Sequence, residues 1–432
     1  MTGTGDALVD VLISPAGEDL LARIAEATAA GTGPLPLQSA LRRDHPADLV
    51  RLALRVAEAR RAATAKFPDA GRLLFTPELL EQATAHPVAR HRARRFADCG
   101  PVLDLGCGAG GDLTRLAGAG LPVAGLERDP LAAALARANL LRLGLDGRVA
   151  DGEYPGADLP PHEALFADPA RREPGRGPAG AQRRYDPRRF SPSPRELHPL
   201  LVGSRAWAVK WGPGLDLDHE TLTAPGAILA GLTPAQYAVE VVGWQGTVRE
   251  AVLWGGQDLR RDGTAPGAPR LATVLDGGLA DARASTYAGE PIASPPPLSE
   301  PAAFLAEPDG TLLRSGLLDA FAREHGLAAL AAGIAYLTAP ACFASPWLRW
   351  WRRLESLPWS PERLQAALDR RDAGSVVIKK RGFPLMPEQV RAGLKLRGSR
   401  ELTVLLHRAD DGRSARGGYT AHLAEPCPPP AP

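Results

Sequence analysis

Residues Val102-Leu-Asp-Leu-Gly-Cys-Gly-Ala-Gly110 decide how the rest of the chain is read. An apolar run holding one acid, Asp104, is followed at once by glycines 106, 108 and 110. This pattern predicts a buried strand that ends in a tight turn and opens a helix. Glycine takes left-handed backbone at little cost and lets a ligand approach the main chain closely. Two kinds of nucleotide ligand compete for such a turn. A dinucleotide turn reads G-x-G-x-x-G and seats a pyrophosphate over the helix N-terminus. Here the third glycine, Gly110, comes one residue early. Asp104 would also repel a pyrophosphate, and suits a ligand that carries positive charge and no phosphate.

Outward from the turn, short apolar strands alternate with helices. Val102–Leu105, Leu113–Ala119, Val123–Leu126, Leu131–Leu143, Arg148–Ala150 and Ala164–Ala167 follow in order. Alternation of this kind predicts a parallel, doubly wound sheet. Ala206–Lys210 reads as a further strand. Tyr237–Trp244 and Gly246–Trp254 read as an antiparallel pair joined through Gln245–Gly246. The second strand ends in Glu127, a carboxylate that can accept both hydroxyls of a ribose. The third unit ends in Asp151, placed to accept from an adenine amino group. S-adenosylmethionine (SAM), with an α-amino group and a sulfonium, matches these acids.

In this ordered set the chain resembles the class I SAM-dependent methyltransferases, over about residues 100–255. The resemblance implies a Rossmann-like seven-stranded sheet with SAM across its switch point. It also implies Asp104, Gly106, Cys107, Gly108, Glu127 and Asp151 as the cofactor residues. The fourth strand ends in Leu165-Phe-Ala-Asp-Pro-Ala-Arg-Arg172. In that family the same place often holds (Asp/Asn)-Pro-Pro-aromatic, which acts on an exocyclic amine. Asp168 and Pro169 match its first half, while Ala170 and Arg171 depart from it, leaving no aromatic to stack on a base. Asp168 is the catalytic candidate, orienting a nucleophile in line with the methyl group. Pro169, Arg171 and Arg172 lie on the substrate side. No cysteine follows Asp168 closely, which argues against the covalent route to cytosine C5. Lys210-Trp211 ends the next strand on the same side, with Trp211 either a stacking platform or a core residue. Thr76 and Glu81–Thr84 are candidates for a lid over the cofactor.

The 432 residues hold 51 Lys+Arg against 49 Asp+Glu, a net +2, so overall charge calls for neither a nucleic-acid nor a membrane partner. Only five of the 51 are lysine, so 46 are arginine. Arg171, Arg172, Arg176, Arg183, Arg184, Arg188, Arg189 and Arg195 crowd the stretch after Asp168, opposed by Glu173, Asp186 and Glu196. That run reads as a phosphate-tracking loop or as a solvated one. Four cysteines with no CxxC pair predict neither disulfides nor a metal site, and point to a reducing cytoplasm. No signal peptide and no run of about 18–20 apolar residues is present, so no membrane partner is expected.

The length predicts two or three domains. Residues 1–97 form a helical N-terminal region, with helical spacing from about residue 16, and 98–285 the methyltransferase domain. Residues 286–350 read as linker and helical connector, from the proline-rich Pro291–Pro301 through Gly310–His325 into a strand-poor stretch. Residues 351–425 form an α+β domain, and 426–432 a disordered tail. Lys379-Lys-Arg-Gly382 ends a strand, with Arg391, Lys395, Arg397 and Arg400 after it. These residues, Glu307-Pro-Asp, Arg314-Ser-Gly316 and Leu394-Lys-Leu-Arg-Gly398 resemble the THUMP-like domain that follows a class I methyltransferase in a bacterial family. THUMP domains proper bind structured RNA, so the resemblance implies RNA as partner and Lys379, Lys380 and Arg381 as contacts. Trp347, Trp350, Trp351 and Trp359 read as packing or as a stacking surface. The leading expectation is a methyltransferase acting on a base nitrogen of RNA. A small-molecule or protein methyltransferase, and a non-catalytic RNA-binding protein that retains SAM, stay open.

Overall fold

Prolines placed one or two residues inside a helix start supply the fixed φ of a first turn. The chain uses them in α2 (Pro15–Ala29), α3 (Pro34–Leu41), α5 (Pro77–Gln82) and α6 (His86–Arg95). Ser14 and Thr76 add side-chain caps, accepting from the Gly17 and Leu79 amides at 3.3 and 3.5 Å. Thr76 therefore works as a helix cap. The remaining N-terminal helices are α1 (Thr4–Ile13), which lies ahead of the point where the helical spacing is legible, and α4 (Ala47–Ala63). This computed structural model describes residues 4–171, 190–212, 214, 216–257, 269–409 and 418–427. The arginine run from Arg172 to Arg189 lies outside the described residues, and only the main chain of Arg171 falls inside them.

The chain divides into two compact units, Met1–Pro269 with Leu275–Ala284, and Arg270–Val274 with Ser285–Pro432. In the first, Leu20, Leu21 and Ile24 of α2 and Leu49, Val50, Leu52, Ala53 and Val56 of α4 are buried as their spacing predicts. Their core is continuous with Leu135 and Ala138 of α8 (Pro130–Leu143), so the N-terminal helices pack onto the α/β part and share its core.

Seven strands of that part lie side by side in one sheet. They are β1 (Val102–Leu105), β2 (Val123–Glu127), β3 (Arg148–Asp151), β4 (Ala164–Ala167), β5 (Ala206–Trp211), β6 (Tyr237–Trp244) and β7 (Thr247–Gly255). Their spatial order is β6-β7-β5-β4-β1-β2-β3. All neighbours from β3 through β5 pair in parallel, and β7 runs antiparallel to both β5 and β6. The strand order reverses between β1 and β4, which is where open α/β sheets bind ligands. α7 (Gly111–Gly118) follows the glycine turn. β6 and β7 are joined by Gln245-Gly246, both at positive φ (53° and 68°), as a two-residue hairpin of the right twist requires.

Strands β8 (Arg270–Asp276) and β9 (Arg283–Gly289) carry the chain between the units. The second unit is built on β10 (Phe304–Pro308), β11 (Ala328–Ala331), β12 (Ile334–Ala339), β13 (Leu348–Pro358), β14 (Ala373–Arg381), β15 (Arg400–Arg408) and β16 (Tyr419–Pro426), in the order β11-β12-β10-β13-β16-β15-β14. The expected linker over 286–350 is therefore corrected: β10, β11 and β12 belong to the same sheet as β13. Helices α9 (Gly310–Ser315) and α10 (Leu318–Glu324) bury Leu312, Phe321 and Ala322 in a core with Leu337 and Trp350. Trp350 and Trp351, neighbours on β13, are each 2% exposed and fall in different hydrophobic clusters. Trp359 packs edge-on against Phe383. Trp350 and Trp351 are core, and half-buried Trp347 and Trp359 pack against it. Cys342 and Cys427, 85 residues apart in sequence, bring their sulfurs to 3.6 Å. No helix among the described residues is long and apolar enough to cross a membrane.

Candidate functional site

Parallel pairing fixes which residues meet at the C-terminal edge of the first sheet. Leu105 pairs with Ala167 and Ala167 with Val209, so Gly106, Asp168 and Lys210 stand side by side. Leu105 also pairs with Leu126 on the other flank of β1, and Glu127 of β2 pairs with Asp151 of β3. Glu127, Asp151 and the expected catalytic acid thus line one edge, on either side of the switch point, and Asp104 sits inside β1 next to that edge.

The turn itself is open. Gly106, Gly108 and Gly110 have φ of +80°, +55° and +79°. A side chain on Gly108 would meet nothing within 4 Å, and on Gly106 only the Asp168 carbonyl at 4.0 Å. Gly111 also stands where a dinucleotide pattern needs its third glycine, so glycine spacing does not separate the two ligand types. The acids do. Asp104 is 1% exposed, and its Oδ2 has no hydrogen-bond partner among the described residues. Burial raises its pKa well above the usual carboxylate range, Asp112, Asp168 and Glu127 push it further, and Arg92 opposes them. An orphaned carboxylate oxygen in a field of acids, next to an open glycine turn, fits the ammonium and sulfonium of SAM and would reject a pyrophosphate.

Glu127 closes onto the turn: Oε2 accepts from the Gly108 amide at 2.8 Å and Oε1 from the Asp129 amide at 2.9 Å. Each carboxylate oxygen keeps a second acceptor position for ribose hydroxyls. Asp151 is paired through Oδ1 with Arg137 at 3.2 Å, and Arg137 also holds Asp6 of α1 at 2.6 Å. The Cys107 thiol packs against Gly125 of β2, so only its main chain belongs to the turn. Burial pushes that thiol's pKa well up, so it is no nucleophile.

On the substrate side, Lys210 Nζ donates to Asp168 Oδ2 at 2.6 Å and to Thr84 Oγ1 at 3.3 Å. Thr84 in turn donates to Asp112 Oδ2 at 2.9 Å. Arg92, 2% exposed, donates to Asp112 Oδ1 and to both oxygens of Glu250 at 2.5 and 2.6 Å. Its guanidinium lies 4.4 Å from the Phe166 ring centroid. Burial alone would lower the Lys210 pKa, but Asp168, Glu250 and Asp112 outweigh it and raise the value. Asp168, Lys210, Thr84, Asp112, Arg92 and Glu250 thus form one connected chain of polar groups.

The chain is 34% identical over 361 residues to uncharacterised SAM-dependent methyltransferases of two Mycobacterium tuberculosis strains, CDC 1551 and H37Rv, covering 82% of this chain and 89% of each relative. The chain belongs to the SAM-dependent methyltransferases. The family model for a THUMP domain-like region matches residues 348–417, and one for a domain of unknown function matches residues 7–63. A solved structure from Porphyromonas gingivalis W83, classed as a methyltransferase, superposes with a TM-score of 0.67 at 21% identity over 89% of this chain and 92% of that one. That likeness shows a shared fold. The cofactor of the methyltransferase is SAM.

Other sequence expectations meet different surroundings in the methyltransferase. Lys379 donates to Glu307 Oε2, Arg381 lies 3.6 Å from Glu307 Oε1, and Lys380 donates to the Phe383 carbonyl at 3.1 Å. All three cations therefore have partners inside the second unit. Trp211 is 3% exposed and packs edge-on against Phe190, which makes it core. Pro169 is buried. Lys66 donates to the carbonyls of Leu80, Glu81 and Ala83 at 2.7, 2.9 and 2.9 Å, pinning the segment expected as a lid. No cluster of three or more potential metal ligands occurs among the described residues.

The sequence reading missed Arg92, Asp112, Glu240 and Glu250. Glu240 accepts from Trp254 Nε1 at 2.9 Å and meets His91 at 2.7 Å and Arg95 at 3.6 Å. A signal was present: Glu240 and Glu250 sit among apolar residues of strands β6 and β7, and a buried charge needs a partner.

Proposed function

We propose that the methyltransferase acts on RNA, placing a methyl group on a base nitrogen that Asp168 orients. The observation that carries the RNA reading is the THUMP domain-like match at 348–417 in the same chain as the Asp168 edge. The arginine run after Asp168 supports it from sequence. Exposed Lys395 and Arg397 carry no ion pair among the described residues, and take over the contact role first assigned to Lys379, Lys380 and Arg381.

SAM, when bound, supplies a methyl group on a positively charged sulfur. In this reading Asp104 Oδ2 pairs with the amino group of the cofactor, Glu127 holds its ribose hydroxyls and Asp151 its adenine amino group. Asp168 Oδ1 accepts from the attacking nitrogen, while Oδ2 is fixed by Lys210. Buried Pro169 stiffens the main chain that carries Asp168.

The test incubates the protein with methyl-labelled SAM and, separately, total RNA, total protein and a small-metabolite fraction from a strain lacking its gene. Label in RNA is the expected result. Label only in protein or metabolites favours the alternative methyltransferase reading. SAM binding without transfer to any fraction favours a SAM-retaining RNA-binding protein.

A further inference from the structure

We propose that the base edge accepted at this site is a lactam, an N–H beside a carbonyl as at guanine N1/O6 or uracil N3/O4, and not the exocyclic amine of adenine or cytosine. The inference rests on the RNA reading above. It comes from the juxtaposition of Asp168 and Lys210, neighbours across β4 and β5 with 2.6 Å between carboxylate and ammonium.

A lysine ammonium has three N–H donors and a carboxylate two acceptor oxygens. Lys210 uses one donor on Asp168 Oδ2 and one on Thr84, which leaves a third. Asp168 keeps Oδ1. An acceptor and a cationic donor are therefore presented together, next to Gly106 of the cofactor turn.

Hydrogen-bond pattern alone does not choose between bases, because adenine and cytosine also show a donor beside an acceptor. Charge does. A cation donating to adenine N1 or cytosine N3 draws electron density out of the exocyclic amine and weakens it as a nucleophile. The same cation on a lactam oxygen stabilises the negative charge that appears when the neighbouring N–H gives up its proton. Lys210 suits the second case and opposes the first. The residues after Asp168-Pro169 agree, since Ala170-Arg171 lacks the aromatic that accompanies amine methylation.

The lactam N–H proton passes to Asp168, and the charge left on the ring collects on the carbonyl oxygen facing Lys210. The nitrogen electron pair forms the new N–C bond, and the S–C bond breaks with its pair kept by sulfur, which loses its positive charge. Asp168 then releases the proton to water.

The experiment treats total RNA from a strain lacking the gene with the full-length protein and SAM, digests it and identifies methylated nucleosides by mass spectrometry. 1-Methylguanosine or 3-methyluridine is expected, and which one appears tells guanine from uracil. N6-methyladenosine, N4-methylcytidine, or a methyl on carbon or ribose overturns the inference and leaves the RNA reading standing. RNA that takes no methyl group overturns both. In the same assay Lys210→Met is expected to be about 10²-fold slower at pH 7, with SAM-induced thermal stabilisation retained. Its deficit shrinks at alkaline pH, where the lactam N–H ionises unaided, and Lys210→Arg recovers most of the rate. A deficit equal at every pH, or no rescue by arginine, marks a purely structural lysine and overturns the proposal.

Discussion

A buried carboxylate oxygen with no donor destabilises the chain that carries it, and Asp104 Oδ2 is such an atom. Its folded pKa lies above its unfolded one, raised by burial first and by neighbouring acids second. Stability linked to this group is therefore present below the ordinary value of 3.8 and lost as pH rises through the raised one. Asp104→Asn removes that penalty. At pH 7 and without cofactor the variant is expected to melt higher, by about 2–4 °C for each kcal/mol recovered, while SAM no longer raises its melting temperature. A thermal melt with and without SAM reads both effects. A lower apo melting point, or an undiminished SAM shift, contradicts the assignment. Asp104 was legible from sequence because an acid within an apolar strand, directly before glycines, has few other uses. The diversion of Lys379 and Arg381 onto Glu307 was not, because that partner lies 72 residues away from Lys379 on another strand.

At the scale of elements, α6 is held to β6 and β7 by charge as well as by apolar contact. Arg92 meets Glu250, and His91 and Arg95 meet Glu240. Removing one member of a buried pair strands the other charge, which costs about 3–5 kcal/mol. Arg92→Met is expected to lower the melting temperature by about 10 °C, and a double replacement with Glu250→Gln by less than the sum of the two single effects. Additive losses would show that the pair is not coupled. Strands β1 to β4 were legible because apolar runs and glycine punctuation alternate there at short range. β11 was not, because Ala328-Ala-Leu-Ala331 has helical propensity and becomes a strand only through pairing with β12. The partners of Glu240 and Glu250 were equally hidden, lying 149 and 158 residues earlier in the chain.

Over the whole molecule, each unit holds histidine whose pKa is lowered, half-buried His86 in the first and buried His407 and His422 in the second. Burial, reinforced by Arg115, lowers His86 to about 4 against the opposing pull of Asp69. In the second unit, burial with His407 and Arg353 beside it lowers His422 to about 3, and burial lowers His407 too. His407 and His422 face each other nitrogen to nitrogen at 2.8 Å, and Ser356 meets His422 Nδ1 at 2.8 Å. Folded values below the unfolded 6.5 mean that this stability is present above pH 6.5 and is lost as pH falls toward 3–4. Melting temperature is therefore expected to drop steadily below pH 6.5, with a shallower drop in His86→Gln and His422→Gln. Equal slopes in wild type and variants would remove these histidines as the cause.

The placement of Asp168 between Gly106 of the cofactor turn and Lys210 is the joint on which the functional account turns. Its most direct test measures SAM affinity and the single-turnover rate of methyl transfer to RNA on one preparation each of wild type and Asp168→Ala. The account predicts an unchanged SAM dissociation constant with transfer slowed by about 10²-fold or more. Transfer at the wild-type rate in Asp168→Ala contradicts it.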